Sequence, residues 1–271
     1  MIPSTLEYTK ASSIDEAVAA VAAGARPLAG GMSLMPMMKL RLAAPGAVVD
    51  LGGVAELVGI CEDGDEIAVG AMTPHRVVAA DPLIAQHCHV VAQAAAGVGS
   101  MTIRNRGTIG GSLAHADPHG DLPAAVLAAG GAVIVRGPSG ERRIGLDDLI
   151  SSYLTTTLAD DELITQVRLP KGAGQSAYAK FHRRAIDWSI IGVGVSVGTD
   201  GVRAAATGVG DRPMRLEGFE AVLNGGGSLA NAIAKAADGL SPTADLDGST
   251  EYKQHLVGVL AGRAHTEASS R

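Results

Sequence analysis

The sequence predicts a mixed α+β chain: two α/β subdomains in succession, then a C-terminal antiparallel sheet packed with helices. Three observations carry this. Short apolar strand-like runs alternate with Ala-rich helical runs across residues 1–170, the pattern of α/β units. Two glycine-rich segments, PLAGGMSLMPMMKLRL and TIRNRGTIGGSLAHADPHGDLPAAVLAAGG, interrupt that alternation with Gly30 and Gly110 80 positions apart. Beyond Lys171-Gly172-Ala173-Gly174, read as a linker, the apolar period shortens to two. The expected division is therefore 1–170, with subdomains at about 1–55 and 56–170, and 175–271.

Residues 1–55 read as strand–helix–strand–loop–helix–strand. Ser12 or Ser13 caps the run IDEAVAAVAAG, Asp15 and Glu16 favour its first turn, and Gly24 closes it. ARPLAGG is a short buried strand entering the first glycine segment. MPMMKLRLA is helical with Pro36 near its start, and AVVDL follows Pro45 as a strand. In the second unit EIAVGAMTP is strand-like and PHRVVAADPLIAQHCHVVAQAAAGV largely helical. Asp121-Leu122-Pro123 reads as a helix start with Asp121 as cap. AVIVRGPSGERRIGLDDL reads as a hairpin turning at Pro-Ser-Gly, and ELITQVRLP as another strand. In the last part Ile191, Val193, Val195 and Val197 alternate with Gly192, Gly194, Ser196 and Gly198. One sheet face is thus apolar and the other nearly bare, which invites a helix to pack closely. Helices are expected from Leu216 to Leu223 and from Leu229 to about Leu240, with HTEASSR as a frayed polar tail.

Composition narrows the function classes. Apolar residues make up 46% and aromatics 3%, so the core is built from Ala, Val, Leu and Ile. The net charge of −6 argues against nucleic acid, whose phosphates require basic surfaces. The longest apolar runs, such as AAVLAAGGAVIV, are broken by glycine and fall short of a membrane span. MIPSTLEYTKASS lacks the basic and apolar regions of a secretory signal, so the expected compartment is the cytoplasm. Cys61 and Cys88 form no cluster able to hold an iron–sulfur centre. His87 and His89 flank Cys88, but in a helical run they point to different sides, and no metal site is assigned there. His115, Asp117 and His119 read as a polar loop rather than a metal cluster.

Paired glycines allow backbone N–H groups to approach a ligand without an intervening Cβ, and a following helix N-terminus adds positive potential. Two such cradles in one unit suit a long ligand with a diphosphate in its middle, a dinucleotide. No Gly-x-Gly-x-x-Gly follows a first strand with an acidic residue downstream, which disfavours a nicotinamide dehydrogenase.

The stretches AGGMSLMPMMKLRLAAPGAVVDL and IRNRGTIGGSLAHADPHGDLPA resemble the FAD-binding medium subunits of molybdenum hydroxylases, the carbon monoxide dehydrogenase and xanthine dehydrogenase group. YAKFHRRAIDWSIIGVGV looks like the opening of that family's C-terminal domain. The resemblance covers nearly the whole chain. It implies non-covalent FAD here, and it implies partners: a large molybdopterin subunit and a small subunit with two [2Fe–2S] clusters. Electrons would pass from those clusters through the flavin to an external acceptor, with the substrate oxidised on the large subunit.

The resemblance places Ala29, Gly30, Gly31, Met32, Ser33 and Leu34 against the FAD diphosphate, with Thr108, Ile109, Gly110, Gly111 and Ser112 opposite. Met32 stands where relatives often carry a polar residue, which leaves the backbone as the recognition element. Asp121 closes Pro118-His119-Gly120-Asp121, a pattern whose acidic residue approaches the cofactor. Lys180 matches a common family lysine whose charge would favour reduced flavin, and Trp188 stands where an aromatic can cover one flavin face. Arg104 is a candidate for the flavin edge or the iron–sulfur partner, and Asp187 for a salt bridge to Arg183 or Arg184. No general acid, base or nucleophile is assigned. Two other readings stay open: a self-contained flavin oxidoreductase of a related fold, and a flavin-free assembly scaffold.

Overall fold

The computed structural model describes residues 2–172 and 175–271. The first unit runs β1 (Glu7–Lys10), α1 (Ile14–Ala22), β2 (Arg26–Leu28), α2 (Leu34–Lys39) and β3 (Ala47–Asp50), in the expected order. Its strands are parallel in the order β1-β3-β2. Ser13 is the α1 cap: its hydroxyl accepts from the Glu16 amide at 3.2 Å, while Glu16 reaches back to the Ser12 amide and hydroxyl. Gly24 closes the helix at φ 93°. Ala17, Val18 and Val21 seat α1 on Val49, Leu51 and Leu57.

The second unit runs β4 (Ile60–Asp63), β5 (Glu66–Gly70), α3 (His75–Ala80), α4 (Pro82–His87), α5 (His89–Ala96), α6 (Met101–Arg106), α7 (Ile109–His115) and α8 (Asp121–Ala128). It continues with β6 (Ala132–Gly137), β7 (Gly140–Gly145), α9 (Leu146–Leu149), β8 (Ile150–Ser152), β9 (Thr155–Thr156) and β10 (Leu163–Pro170). An antiparallel sheet in the order β4-β5-β10-β6-β7 carries it. The single helical run expected after Pro74 is three helices. Pro82 holds Asp81 in an extended conformation, and the Asp81 carboxylate caps α4 instead of continuing α3. The chain breaks again at Cys88, so His87 and His89 sit on different helices. Cys88 is buried, its thiol pushed up to about 12 by desolvation, with Sγ 3.3 Å from the Pro170 carbonyl oxygen. α5 and α8 fill the core over the sheet.

The last part holds β11 (Gln175–Phe181), β12 (Ile191–Gly198), β13 (Gly201–Thr207), β14 (Met214–Arg215), α10 (Glu217–Asn224), α11 (Leu229–Lys235) and α12 (Thr250–Ser269). Its antiparallel sheet has the order β11-β12-β13-β14. Ile191, Val193 and Val195 share a core with Phe219, Leu256, Val257 and Leu260 from α10 and α12. The bare face of β12 receives helices of the preceding unit. A Cβ at Gly194 would lie 2.9 Å from Val90 Cγ2 of α5 and 3.1 Å from Ala128 Cβ of α8. The expected linker falls partly outside the described residues.

Two expectations are corrected here. α11 ends at Lys235, short of Leu240. HTEASSR is not frayed: α12 runs through Ser269, Ala268 is buried, and Glu267 accepts from the Gln93 side-chain amide at 2.6 Å. Gly258 and Gly262 disguise this helix in the sequence, yet both are contact points. A Cβ at Gly262 would lie 2.7 Å from Ile233 Cδ1 and one at Gly258 3.1 Å from the Ile233 carbonyl oxygen. Lys253, apparently a solvent residue, is buried and donates to Thr243 O at 2.8 Å and Asp245 Oδ2 at 2.6 Å. Among the described residues no helix is long and apolar enough to cross a membrane.

Candidate cofactor site

The first glycine segment leaves the C-terminal end of β2, the edge where open parallel sheets present ligands. Two different constraints require its glycines. A Cβ at Gly30 would lie 1.9 Å from the Arg106 carbonyl oxygen, so the two segments meet backbone to backbone. Gly31 has φ 73°, the left-handed conformation that turns the chain into α2. Among the described residues the amides of Gly30, Gly31, Met32 and Ser33 have no acceptor, and the Ser33 side chain makes no cap. Buried or half-buried N–H groups rarely stay unpaired, and a row of them fits an anionic ligand. Met32 is 38% exposed, in line with a backbone role at this position.

The second segment is built differently, and the expectation of a second amide cradle is corrected. Thr108 caps α7 by accepting from the Gly111 amide at 3.2 Å. The amides of Ile109, Gly110 and Ser112 donate to Thr73 O (3.1 Å), Ala71 O (2.9 Å) and Thr108 O (3.0 Å). All four amides are thus engaged within the chain. The glycines serve packing: a Cβ at Gly110 would lie 2.5 Å from Ala71 Cβ, and one at Gly111 would lie 2.8 Å from Thr108 Oγ1 and 3.5 Å from Ala29 Cβ. The segment's hydroxyls are those of Thr108, which is buried, and Ser112, which is half-buried.

His75, the first residue of α3, was not singled out by the sequence. It is 2% exposed, and its Nε2 lies 3.3 Å from Ser112 Oγ. Burial, with the nearby Arg104 charge adding to it, lowers its pKa to about 4, so the ring is neutral. Arg104 itself donates to Val98 O at 3.0 Å and Gly99 O at 2.7 Å, which fixes the turn between α5 and α6.

Asp121 and Lys180 come together. Asp121 is not the α8 cap: Gly120 holds that position, and the Asp121 carboxylate turns inward. Its Oδ1 accepts from Tyr178 Oη at 2.9 Å and Ser189 Oγ at 2.5 Å, and its Oδ2 from Lys180 Nζ at 2.8 Å. Lys180 also donates to Gly97 O at 3.1 Å. The pair is 5% and 9% exposed, so Lys180 is no surface lysine and its charge is matched by Asp121. Burial first, and the Asp121 charge second, raise the Tyr178 phenol well above its ordinary value. Trp188, one residue before Ser189, is 60% exposed. Asp187 does not pair with Arg183, which reaches Asp247 at 3.0 Å. His119 Nδ1 is 2.8 Å from Ser189 O, and His115 Nε2 is 3.7 Å from Asp117 Oδ2.

A parallel α/β unit whose first glycine segment ends in unpaired amides and packs directly against the second is the class of site that suits an anionic ligand. Residues 4–172 match the FAD binding domain in molybdopterin dehydrogenase, and residues 176–268 the CO dehydrogenase flavoprotein C-terminal domain. The carbon monoxide dehydrogenase medium chain of Hydrogenophaga pseudoflava is 35% identical, over 100% of this chain and 99% of its own. The nicotine 6-hydroxylase medium subunit of Paenarthrobacter nicotinovorans is 37% identical, over 98% of each. A solved carbon monoxide dehydrogenase from H. pseudoflava superposes with a TM-score of 0.94 at 35% identity, covering 100% and 99% of the two chains. Quinoline 2-oxidoreductase from Pseudomonas putida 86 gives 0.93 at 28% identity, covering 100% and 99%. The chain belongs to the FAD-binding medium subunits of the molybdenum hydroxylases.

Proposed function

We propose that this chain is the electron-transfer subunit of a cytoplasmic, heteromeric molybdenum hydroxylase. In this reading it receives electrons from [2Fe–2S] clusters on a small partner and passes them to an external acceptor. A molybdopterin-bearing large subunit oxidises the substrate. The observation that carries the reading is the row of amides at Gly30, Gly31, Met32 and Ser33 without acceptors. They fit a diphosphate, because each N–H would gain a charged partner where now it has none. Residues 29–34 would hold that group against the surface of residues 108–112. Asp121 and Lys180 would brace the cofactor side of the seam with the C-terminal part, and the exposed ring of Trp188 would cover a flavin face and exclude water. Bound FAD supplies the step between one-electron donors and a two-electron acceptor. The division into 1–170 and 175–271 belongs to the same reading.

The full chain, purified with the subunits that accompany it, tests this. One acid-releasable FAD per chain is expected, together with iron–sulfur absorption, and reduction of the clusters should bleach the flavin. Gly111→Val should lose flavin while the subunits stay together. A complex with iron–sulfur clusters and molybdopterin but no flavin would return the chain to the scaffold reading.

A further inference from the structure

The amides of Ile109, Gly110, Gly111 and Ser112 are engaged within the chain, and the second segment also carries two hydroxyls. Thr108 Oγ1 is nearly buried and already accepts from Gly111. Ser112 is only half-buried, and its hydroxyl has one partner, the His75 ring. That ring is held from several sides. The His75 amide donates to Gly107 O at 2.9 Å, and Pro74 bridges to Thr108. A Cβ at Gly107 would lie 2.8 Å from both Cδ2 and Nε2, so glycine there lets the ring lie flat under the segment. His75 Nδ1 is buried and has no hydrogen-bond partner among the described residues.

The position of the ring proton decides what Ser112 can do. A proton on Nδ1 would bury an N–H with no acceptor and leave Nε2 to accept the Ser112 proton, spending that hydroxyl. A proton on Nε2 leaves only a lone pair unpaired at Nδ1 and makes Ser112 Oγ the acceptor. The hydroxyl hydrogen is then free. Resting on the FAD reading above, we infer that His75 is a positioning residue for the cofactor diphosphate: neutral and protonated on Nε2, it donates to Ser112 Oγ and commits the Ser112 O–H to the anion. The depressed basicity of the ring supports this, since an imidazolium would carry an unpaired buried N–H.

Two measurements test it. Long-range ¹⁵N–¹H NMR on the full chain reads the tautomer without flavin, and the expected signal is His75 protonated on Nε2. The second is FAD affinity, by flavin fluorescence on the stripped full chain with its accompanying subunits. Ser112→Ala and His75→Leu should each weaken binding about tenfold, the loss of one hydrogen bond to a charged group. The double variant should lose no more than either single one. His75→Gln, which keeps an N–H donor, should recover most of the loss. Ser112→Ala changes a half-exposed hydroxyl, so the test survives if His75→Leu folds poorly. A His75 proton on Nδ1, additive losses, or tight wild-type binding unmoved by Ser112→Ala overturns the inference. Wild type that binds no FAD while showing the Nε2 tautomer overturns the FAD reading, and the diphosphate role with it.

Discussion

The two glycine segments look alike in sequence and do opposite things with their backbones. Among the described residues AGGMS keeps four amides unpaired at the end of β2, while TIGGS donates those of Ile109, Gly110, Gly111 and Ser112 to the chain's own oxygens. Gly30 is required by a carbonyl that a Cβ would strike, Gly31 by a positive φ, and Gly110 by the close packing of Ala71. The difference teaches that a glycine pair marks close approach without saying what approaches. At Gly30 and Gly110 alike what approaches is the protein itself, and the two segments differ in whether their amides are engaged.

The largest way to break this comparison is Gly30→Ala. Its Cβ would meet the Arg106 carbonyl oxygen at 1.9 Å, and neither backbone can yield without parting the segments. The expected outcome is loss of bound FAD and destabilisation by about 3 kcal/mol or more, read by flavin content and urea unfolding. Next comes pH, which probes the support under the second segment. His75 is neutral when folded down to about pH 4, whereas the unfolded ring gains its proton near 6.5. Between those values the unfolded state binds more protons, so stability falls as pH falls, by about 3 kcal/mol in full. Burial shifts His89, His115 and His265 in the same direction, so the diagnostic is the difference from His75→Gln, whose urea midpoints should fall less between pH 7 and 4.5. The smallest effect belongs to Gly31→Ala. Left-handed φ at a residue with a Cβ costs about 1–2 kcal/mol, and Met35 Cγ, at 3.1 Å from that Cβ, can shift. Thermal unfolding should show a small loss with FAD retained at reduced affinity. A larger loss than at Gly30 would invert the comparison.

Much of the fold was legible because its signals are local. Ser13 and Asp15 announce α1, and the Val-Gly alternation of β12 foretells a face for close helix packing. What was hidden depends on distant partners. α12 carries glycines and a lysine that become reasonable only beside Ile233 and Asp245. His75 stands in an ordinary TPHRVV stretch, and nothing local says that Ser112 will lie beside it. Asp121 looked like a cap because Leu-Pro follows it, but three donors more than fifty residues downstream claim the carboxylate instead. The glycine segments could thus be read from the sequence, while the residues packed beneath them could not.

That carboxylate also bears on how the molecule melts. Every hydrogen-bond donor recorded for Asp121 comes from β11 or the strand-connecting loop after it, across a seam where β12 is bare enough to touch α5 and α8. Pulling the two parts apart would strand an ion in each, a carboxylate on one side and an ammonium on the other. Neither half therefore has a comfortable state of its own, although separate family models describe them. The chain should unfold as one cooperative unit, with a single calorimetric transition, and a fragment cut near residue 172 should behave as a loosely ordered half rather than a free-standing domain.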